Sequence, residues 1–226
     1  MNFEPNPTPK TPPPSQVQAS HGRRWDIPKR VLDIGLASIG IVLSSPLWIL
    51  AAVAVKLEDG GPVFYPQRRY GRGGQIFRLL KFRTMRPGSD EAGIVSATEK
   101  DDLVTRVGHL LRATGLDELP QLWSILIGNM SLVGPRALAV GEAIRMPDGH
   151  LATFDEIPGF LDRLAVKPGL TGMATIYLPK DVDPIKKLEY DLAYIDNQSF
   201  WLDVRLIALS LWISVRGKWE TRTDKL

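Results

Sequence analysis

Residues 31–57 read VLDIGLASIGIVLSSPLWILAAVAVKL, and how this run folds decides the architecture of the chain. Only Asp33 and Lys56 within it are charged, one near each end. About 20 helical residues cross a hydrocarbon layer roughly 30 Å thick, so the run is long enough to span one. A buried core helix of a soluble protein is the other reading of the same composition. Two features argue against a straight span. Ser44-Ser45-Pro46 stands near the middle, where the proline frees the carbonyl of Val42 and bends the helix, and serine hydroxyls can satisfy the freed groups. Positive charge also flanks both ends, with Arg23, Arg24, Lys29 and Arg30 before the run, Lys56 at its very end and Arg68, Arg69 and Arg72 after it. Cytoplasmic flanks carry the Lys/Arg excess, so both ends are expected on the cytoplasmic side. The expected form is a kinked, re-entrant helix that enters and leaves one leaflet, with a Pro-kinked spanning helix as the alternative.

Before this run, residues 1–24 hold Pro5, Pro7, Pro9 and Pro12-Pro13-Pro14 among Ser, Thr, Gln and Asn. Such a segment buries too little apolar surface to fold, so a disordered tail is expected. It lacks the charged start, apolar region and cleavage site of a secretory signal. The whole chain of 226 residues is 44% apolar, enough for one compact domain with attachments. Its net charge of +3 suits anionic lipid, nucleotide or nucleic acid. With no cysteine there is no disulfide, thiolate zinc site or cysteine nucleophile. His21, His109 and His150 show no ligand spacing, which argues against a transition-metal centre and leaves Mg²⁺ open to carboxylates.

After the apolar run, residues 60–89 carry seven basic side chains and no acidic one. Val63-Phe64-Tyr65 and Gln75 to Arg83, with Gly71, Gly73 and Gly74 between, read as a short hairpin. Its basic side chains suit solvent or lipid headgroups. Lys81 and Arg83 share strand parity, which points both into one anionic site. Nucleic acid is the other use of such a patch. Sparse aromatics and the neighbouring membrane segment set that reading back. A polar loop over about 87–105 and a helix over Leu103 to Leu111 are expected next.

The densest chemistry follows in Arg112-Ala113-Thr114-Gly115-Leu116-Asp117-Glu118-Leu119-Pro120-Gln121. Pro120 has no amide hydrogen and belongs in a first helical turn, so a helix is expected to start near Asp117 and run through Leu122, Trp123 and Ile125. Asp117 and Glu118 then sit at its positive end, which favours exposed carboxylates by about 0.3 to 1 kcal/mol and attracts phosphate. Asp117 either caps the helix or, beside phosphate donors, serves as a nucleophile. Gly128 to Arg136 is a glycine-punctuated turn set whose amides and Arg136 can grip an anion. Lys167-Pro168-Gly169-Leu170-Thr171-Gly172 repeats that chemistry with Lys167 as the cation. The last apolar block, Phe200 to Val215, is short for a span and rich in tryptophan. An in-plane amphipathic helix is the preferred reading, with a core helix second.

KFRTM at 81–85, LDELPQL at 116–122, GNMSLVGPR at 128–136 and KPGLTG at 167–172, behind a Ser-Pro-kinked apolar helix, together resemble the bacterial sugar transferases. More narrowly, the chain is similar to the small monotopic phosphoglycosyl transferases over about residues 27–217. The resemblance implies transfer of a sugar-1-phosphate from a UDP-sugar to polyprenyl (undecaprenyl) phosphate with release of UMP, initiating glycan or exopolysaccharide assembly. It implies that Asp117 is the nucleophile of a covalent phosphosugar intermediate and Glu118 its dyad partner. Mg²⁺ is the implied cofactor, with Asp117 and Glu118 as its carboxylates. Arg112 and Arg136 match phosphate-binding arginines, Lys81 a cation near the dyad, and Ser45 and Pro46 the re-entrant break. The chain departs from the family pattern at Ala137, at Asn129 and over Met173 to Lys180.

The architecture expected is α/β and helix-rich, a monotopic membrane protein with a re-entrant N-terminal helix, a short β hairpin and interfacial amphipathic helices. Its parts are a tail over 1–24, the membrane helix over 25–58, a cytoplasmic catalytic domain over 59–217 and a polar tail over 218–226. The expected partners are a UDP-sugar, polyprenyl phosphate and membrane lipid, with downstream glycosyltransferases or a second copy as further candidates and no nucleic acid. The expected location is the cytoplasmic face of the inner membrane. The alternative function is a catalytically inactive membrane adaptor of the same fold.

Overall fold

The structure, a computed structural model, describes residues 26–89, 103–141, 143–145, 149, 151–153, 156–179 and 182–216. The two tails expected over 1–24 and 218–226, and most of the loop expected over 87–105, lie outside the described residues. Contacts divide the chain into two units. The first comprises the described parts of Met1–Val31, Arg68–Phe77 and Asn129–Leu226, the second those of Leu32–Gln67 and Arg78–Gly128.

Helix α1 (Asp26–Asp59) is 34 residues long and contains Pro46, and it supplies the second unit's longest element. The backbone stays helical through the proline because the serines supply what the missing amide cannot. Ser45 Oγ donates to the freed Val42 carbonyl at 2.8 Å and Ser44 Oγ to that of Gly40 at 2.6 Å. Among the described residues α1 is the one helix long and apolar enough to cross a membrane, and its most apolar window is only 11% buried inside the protein. Val42, Leu43, Ile49 and Leu50 all face outward. A core helix of a soluble protein would bury this surface, so that reading falls.

Where α1 does pack, Ala51 and Val55 join Phe82 and Leu111 in a small core, with Trp48, Val63, Val107, Leu116 and Leu119 around it. Phe64 stacks on Phe82 at 5.3 Å, and Trp48 meets Phe82 edge-on at 5.9 Å. Those phenylalanines come from the expected hairpin, β1 (Phe64–Tyr70) paired with β2 (Ile76–Phe82) across the turn at Arg72–Gly74. Helix α2 (Arg106–Thr114) begins at Thr105, whose hydroxyl accepts from the Gly108 amide at 2.9 Å, and stops at Gly115, where φ is 70°. It therefore starts and ends three residues later than the expected Leu103 to Leu111. Helix α3 (Gln121–Ile127) follows, burying Leu122 and Ile125.

In the first unit, β3 (Ser131–Val133) runs parallel to β6 (Gly169–Thr171), with Ser131 opposite Gly169 and Val133 opposite Thr171. The two glycine motifs of the sequence are thus one structure. Close approach explains the glycines: a Cβ on Gly134 would come within 2.4 Å of the Lys167 carbonyl, and one on Gly169 within 2.1 Å of the Gly134 amide. Strands β4 (Ala143–Arg145) and β5 (Leu151–Thr153) form a separate antiparallel pair. Helices α4 (Met173–Tyr177), α5 (Pro184–Asp196) and α6 (Phe200–Arg216) complete the unit, in which Val133, Ile176, Tyr194, Ile195, Leu206 and Ile213 form one buried cluster and Tyr70, Leu138, Ala152, Ile157, Phe160, Leu164 and Leu188 another. Helix α6 is two-faced, with Asp203, Leu206 and Ile213 buried and Trp201, Leu211 and Trp212 exposed.

Candidate active site

The dyad does not occupy the first turn of the long helix expected from the sequence. Leu116–Glu118 forms a 3₁₀ turn of its own, and α3 proper begins at Gln121, with Leu119 and Pro120 helical in backbone but not yet inside it. The reason is local hydrogen bonding. Glu118 N donates to the Gly115 carbonyl, Leu119 N to that of Leu116 and Leu122 N to that of Leu119, each an i to i−3 bond of 3.1 to 3.2 Å. Asp117 is not a helix cap, since neither the turn nor α3 has a side-chain cap bond.

Around this turn the second unit gathers two of the sequence-predicted cations, Lys81 and Arg112. Lys81, on β2, places Nζ 2.7 Å from Glu118 Oε1. Arg112 leaves the last turn of α2 with its Nε donating to Thr84 Oγ1 at 2.9 Å, which holds the stem while the side chain stays exposed. Burial raises the Asp117 carboxyl above its ordinary pKa; Lys81 pulls it down, the Glu118 charge pushes it up and Arg112 pulls it down again. The result is a half-buried acid pair with two cations in its field.

Arg83 does not join them. Strand β2 ends at Phe82, so alternation no longer governs where Arg83 points. Its guanidinium grips both oxygens of Asp59, with Nη1 2.7 Å from Oδ2, while Nε donates to the Pro62 carbonyl at 2.6 Å. At 6% exposure it is held at the end of α1, apart from Lys81, whose amine pairs with Glu118.

Arg136 and Lys167 belong to the first unit, on the paired glycine motifs. Gly169 N donates to the Pro135 carbonyl at 2.8 Å and Gly134 N to that of Thr171 at 2.9 Å, which fixes the backbone from which the exposed Arg136 projects. Arg163 Nη2 donates to the Arg136 carbonyl at 3.2 Å and lies 2.7 Å from the buried Asp191. Sequence reading missed Arg163 and Asp191, as it missed Lys29, Glu58, Asp59 and Asp203. All six act through partners distant in sequence, and the one available signal was a charge, Asp203, inside an apolar block.

A family model for bacterial sugar transferases matches residues 24–217. The chain belongs to the bacterial sugar transferase family. It is 40% identical over 187 residues, 80% of this chain and 67% of the relative, to the UDP-glucose:undecaprenyl-phosphate glucose-1-phosphate transferase of Caulobacter vibrioides. It is 43% identical over 183 residues, 79% of this chain and 41% of the relative, to the UDP-N-acetylgalactosamine-undecaprenyl-phosphate N-acetylgalactosaminephosphotransferase of Aeromonas hydrophila. To the exopolysaccharide production protein PSS of Rhizobium leguminosarum bv. phaseoli it is 36% identical over 79% of this chain and 90% of that protein. The chain spans about two fifths of the length of several relatives it matches.

Proposed function

We propose that this protein transfers a sugar-1-phosphate from a UDP-sugar to polyprenyl (undecaprenyl) phosphate, releasing UMP, as the membrane step that starts glycan or exopolysaccharide assembly. The observation that carries the reading is the Asp117–Glu118 pair on a tight turn, with Lys81 on Glu118 and Arg112 in the field of Asp117. An anionic nucleophile approaches a diphosphate only where cations screen the repulsion. A carboxylate oxygen of Asp117 attacks the phosphorus bearing the sugar, and the bond from that phosphorus to the bridging oxygen breaks, releasing UMP. An oxygen of the lipid phosphate then attacks the same phosphorus and Asp117 departs as carboxylate, leaving the polyprenyl-diphosphate sugar.

The donor set suits Mg²⁺, which takes one or two carboxylates and fills its remaining positions with substrate phosphate and water. Asp117 and Glu118 would hold it, and when bound it neutralises phosphate charge. Glu118 is steered by Lys81, while Arg112 supplies a cation for phosphate oxygens.

Several features support a re-entrant α1. Its first turn is tied to Asp203 through Lys29 at 2.6 Å, and its last to Arg83 and to the first amides of α2. Basic residues flank α1 on both sides in the sequence, which supports both ends lying on one face. The same basic bias favours the cytoplasmic face. The exposed Trp201, Leu211 and Trp212 of α6 suit an in-plane position at a membrane surface.

The test is UMP release from a panel of UDP-sugars by the full chain in lipid nanodiscs with polyprenyl phosphate, with and without Mg²⁺. Release that needs the lipid phosphate and Mg²⁺ is expected, and silence across the panel from folded, membrane-bound protein overturns the reading. Relatives named for glucose and for N-acetylgalactosamine match at 40% and 43% identity, so the panel itself reads out the sugar.

The pH profile tests the dyad separately. Asp117 attacks only when ionised, and before Mg²⁺ binds burial raises its pKa, so kcat/KM, which reports the free enzyme, should climb with pH through a midpoint above the ordinary carboxylate range when Mg²⁺ enters with the substrate. Lys81→Met removes a charge that lowers that pKa and should move the midpoint up. Glu118→Gln removes a charge that raises it and should move the midpoint down. Shifts in one common direction would contradict the assignment.

A further inference from the structure

Two consecutive residues at the end of the membrane helix, Glu58 and Asp59, hold both elements that bring cations to the dyad. Asp59 takes the Arg83 guanidinium with both carboxylate oxygens and accepts from the Gly61 amide at 3.0 Å. Arg83 lies two residues beyond Lys81, whose amine pairs with Glu118. Glu58 accepts from the amides of Arg106 at 2.7 Å and Val107 at 3.2 Å, in the first turn of α2. That helix delivers Arg112 from its last turn and Gly115 as the pivot before Asp117. The two paths are cross-tied at Thr84, whose carbonyl accepts from Thr105 N at 3.0 Å and whose hydroxyl accepts from Arg112 Nε at 2.9 Å. Gly108 packs so tightly there that a Cβ would lie 2.1 Å from the Thr84 carbonyl, so α2 and the strand exit move as one. Ala51 and Val55 of α1 pack beneath both, against Phe82 and Leu111.

We propose that Glu58 and Asp59 are positioning residues that set Lys81 and Arg112 around the Asp117–Glu118 dyad, so that the seating of α1 fixes the geometry of catalysis. The inference rests on the transferase reading for its kinetic consequence and on geometry alone for its structural one. The two are tested separately, on the full chain in nanodiscs. Asp59→Asn and Glu58→Ala should each lower kcat about tenfold to a hundredfold while the KM for UDP-sugar changes by less than about threefold. Membrane association should be kept and both variants should stay folded at the assay temperature, with Asp59→Asn lowering the thermal midpoint by several degrees because the buried Arg83 loses its partner, and Asp59→Glu should recover most of the rate. The second readout is acylation of the Lys81 amine by a small reagent, followed by mass spectrometry. In the native chain that side chain is 18% exposed and paired, and in Asp59→Asn it should label faster. Unchanged kcat with unchanged labelling overturns the proposal, as does a loss of rate that only follows the loss of folded protein. If the native chain releases no UMP, the labelling comparison decides alone: faster labelling in Asp59→Asn upholds the positioning role, and equal labelling removes it.

Discussion

Asp117→Asn is expected to abolish UMP release, with a loss of roughly four orders of magnitude or more, as when other covalent nucleophiles are removed. The substitution keeps the shape of the side chain and removes its charge. Little in the fold depends on that charge. Asp117 caps neither the 3₁₀ turn nor α3, and desolvation together with the neighbouring Glu118 already works against its ionised form. The thermal midpoint should therefore stay the same or rise, the pattern of a site whose chemistry costs stability. Parallel measurement of UMP release, membrane association and thermal midpoint checks all three, and full activity in the variant would remove Asp117 as nucleophile. Glu118→Gln makes the instructive contrast. It also breaks the 2.7 Å pair with Lys81, so a loss of rate there mixes the acid's own role with the misplacement of a cation.

What the sequence made legible was local or periodic. The hairpin of β1 and β2 follows from alternation around glycines, and the serine-supported proline follows from the fixed distance between a residue and the carbonyl four places back. The motif order carried the dyad, the two glycine loops and the family. Three things were not legible, for definite reasons. A 3₁₀ turn and a first α turn have nearly the same backbone angles, so Pro120 could not say that the dyad stands in a turn ahead of α3. Strand parity stopped at Phe82, and the partner that claims Arg83 lies 24 residues away in sequence. No residue pattern links Lys29 to Asp203, 174 positions apart, because such a pair exists only after the first unit has packed.

That last pair yields the largest expected change in stability. Lys29 Nζ lies 2.6 Å from Asp203 Oδ2 and also donates to the Val133 carbonyl at 2.9 Å and the Tyr194 hydroxyl at 3.2 Å. The Asp203 side chain is only 3% exposed, and its other oxygen accepts from Tyr194 at 2.8 Å. Lys29→Met fills similar space but leaves a buried carboxylate without its counter-charge, a change that costs about 3 to 5 kcal/mol. For a domain of this size each kcal/mol lowers the thermal midpoint by roughly 2 to 4 °C, so a fall on the order of 10 °C is expected. Removing both charges, as Lys29→Met with Asp203→Leu, leaves no orphaned ion and should regain most of the loss. Thermal midpoints of the two single variants and the double variant form the cycle, and a single-variant cost below about 1 kcal/mol would mean that the pair is solvated like a surface bridge. Turnover in the double variant separates anchoring from positioning. Val133 is followed directly by Gly134-Pro135-Arg136, and Lys29 holds its carbonyl as well as the carboxylate. If stability returns while turnover does not, the lysine also sets the loop that carries Arg136; if both return, its work is confined to seating the start of α1.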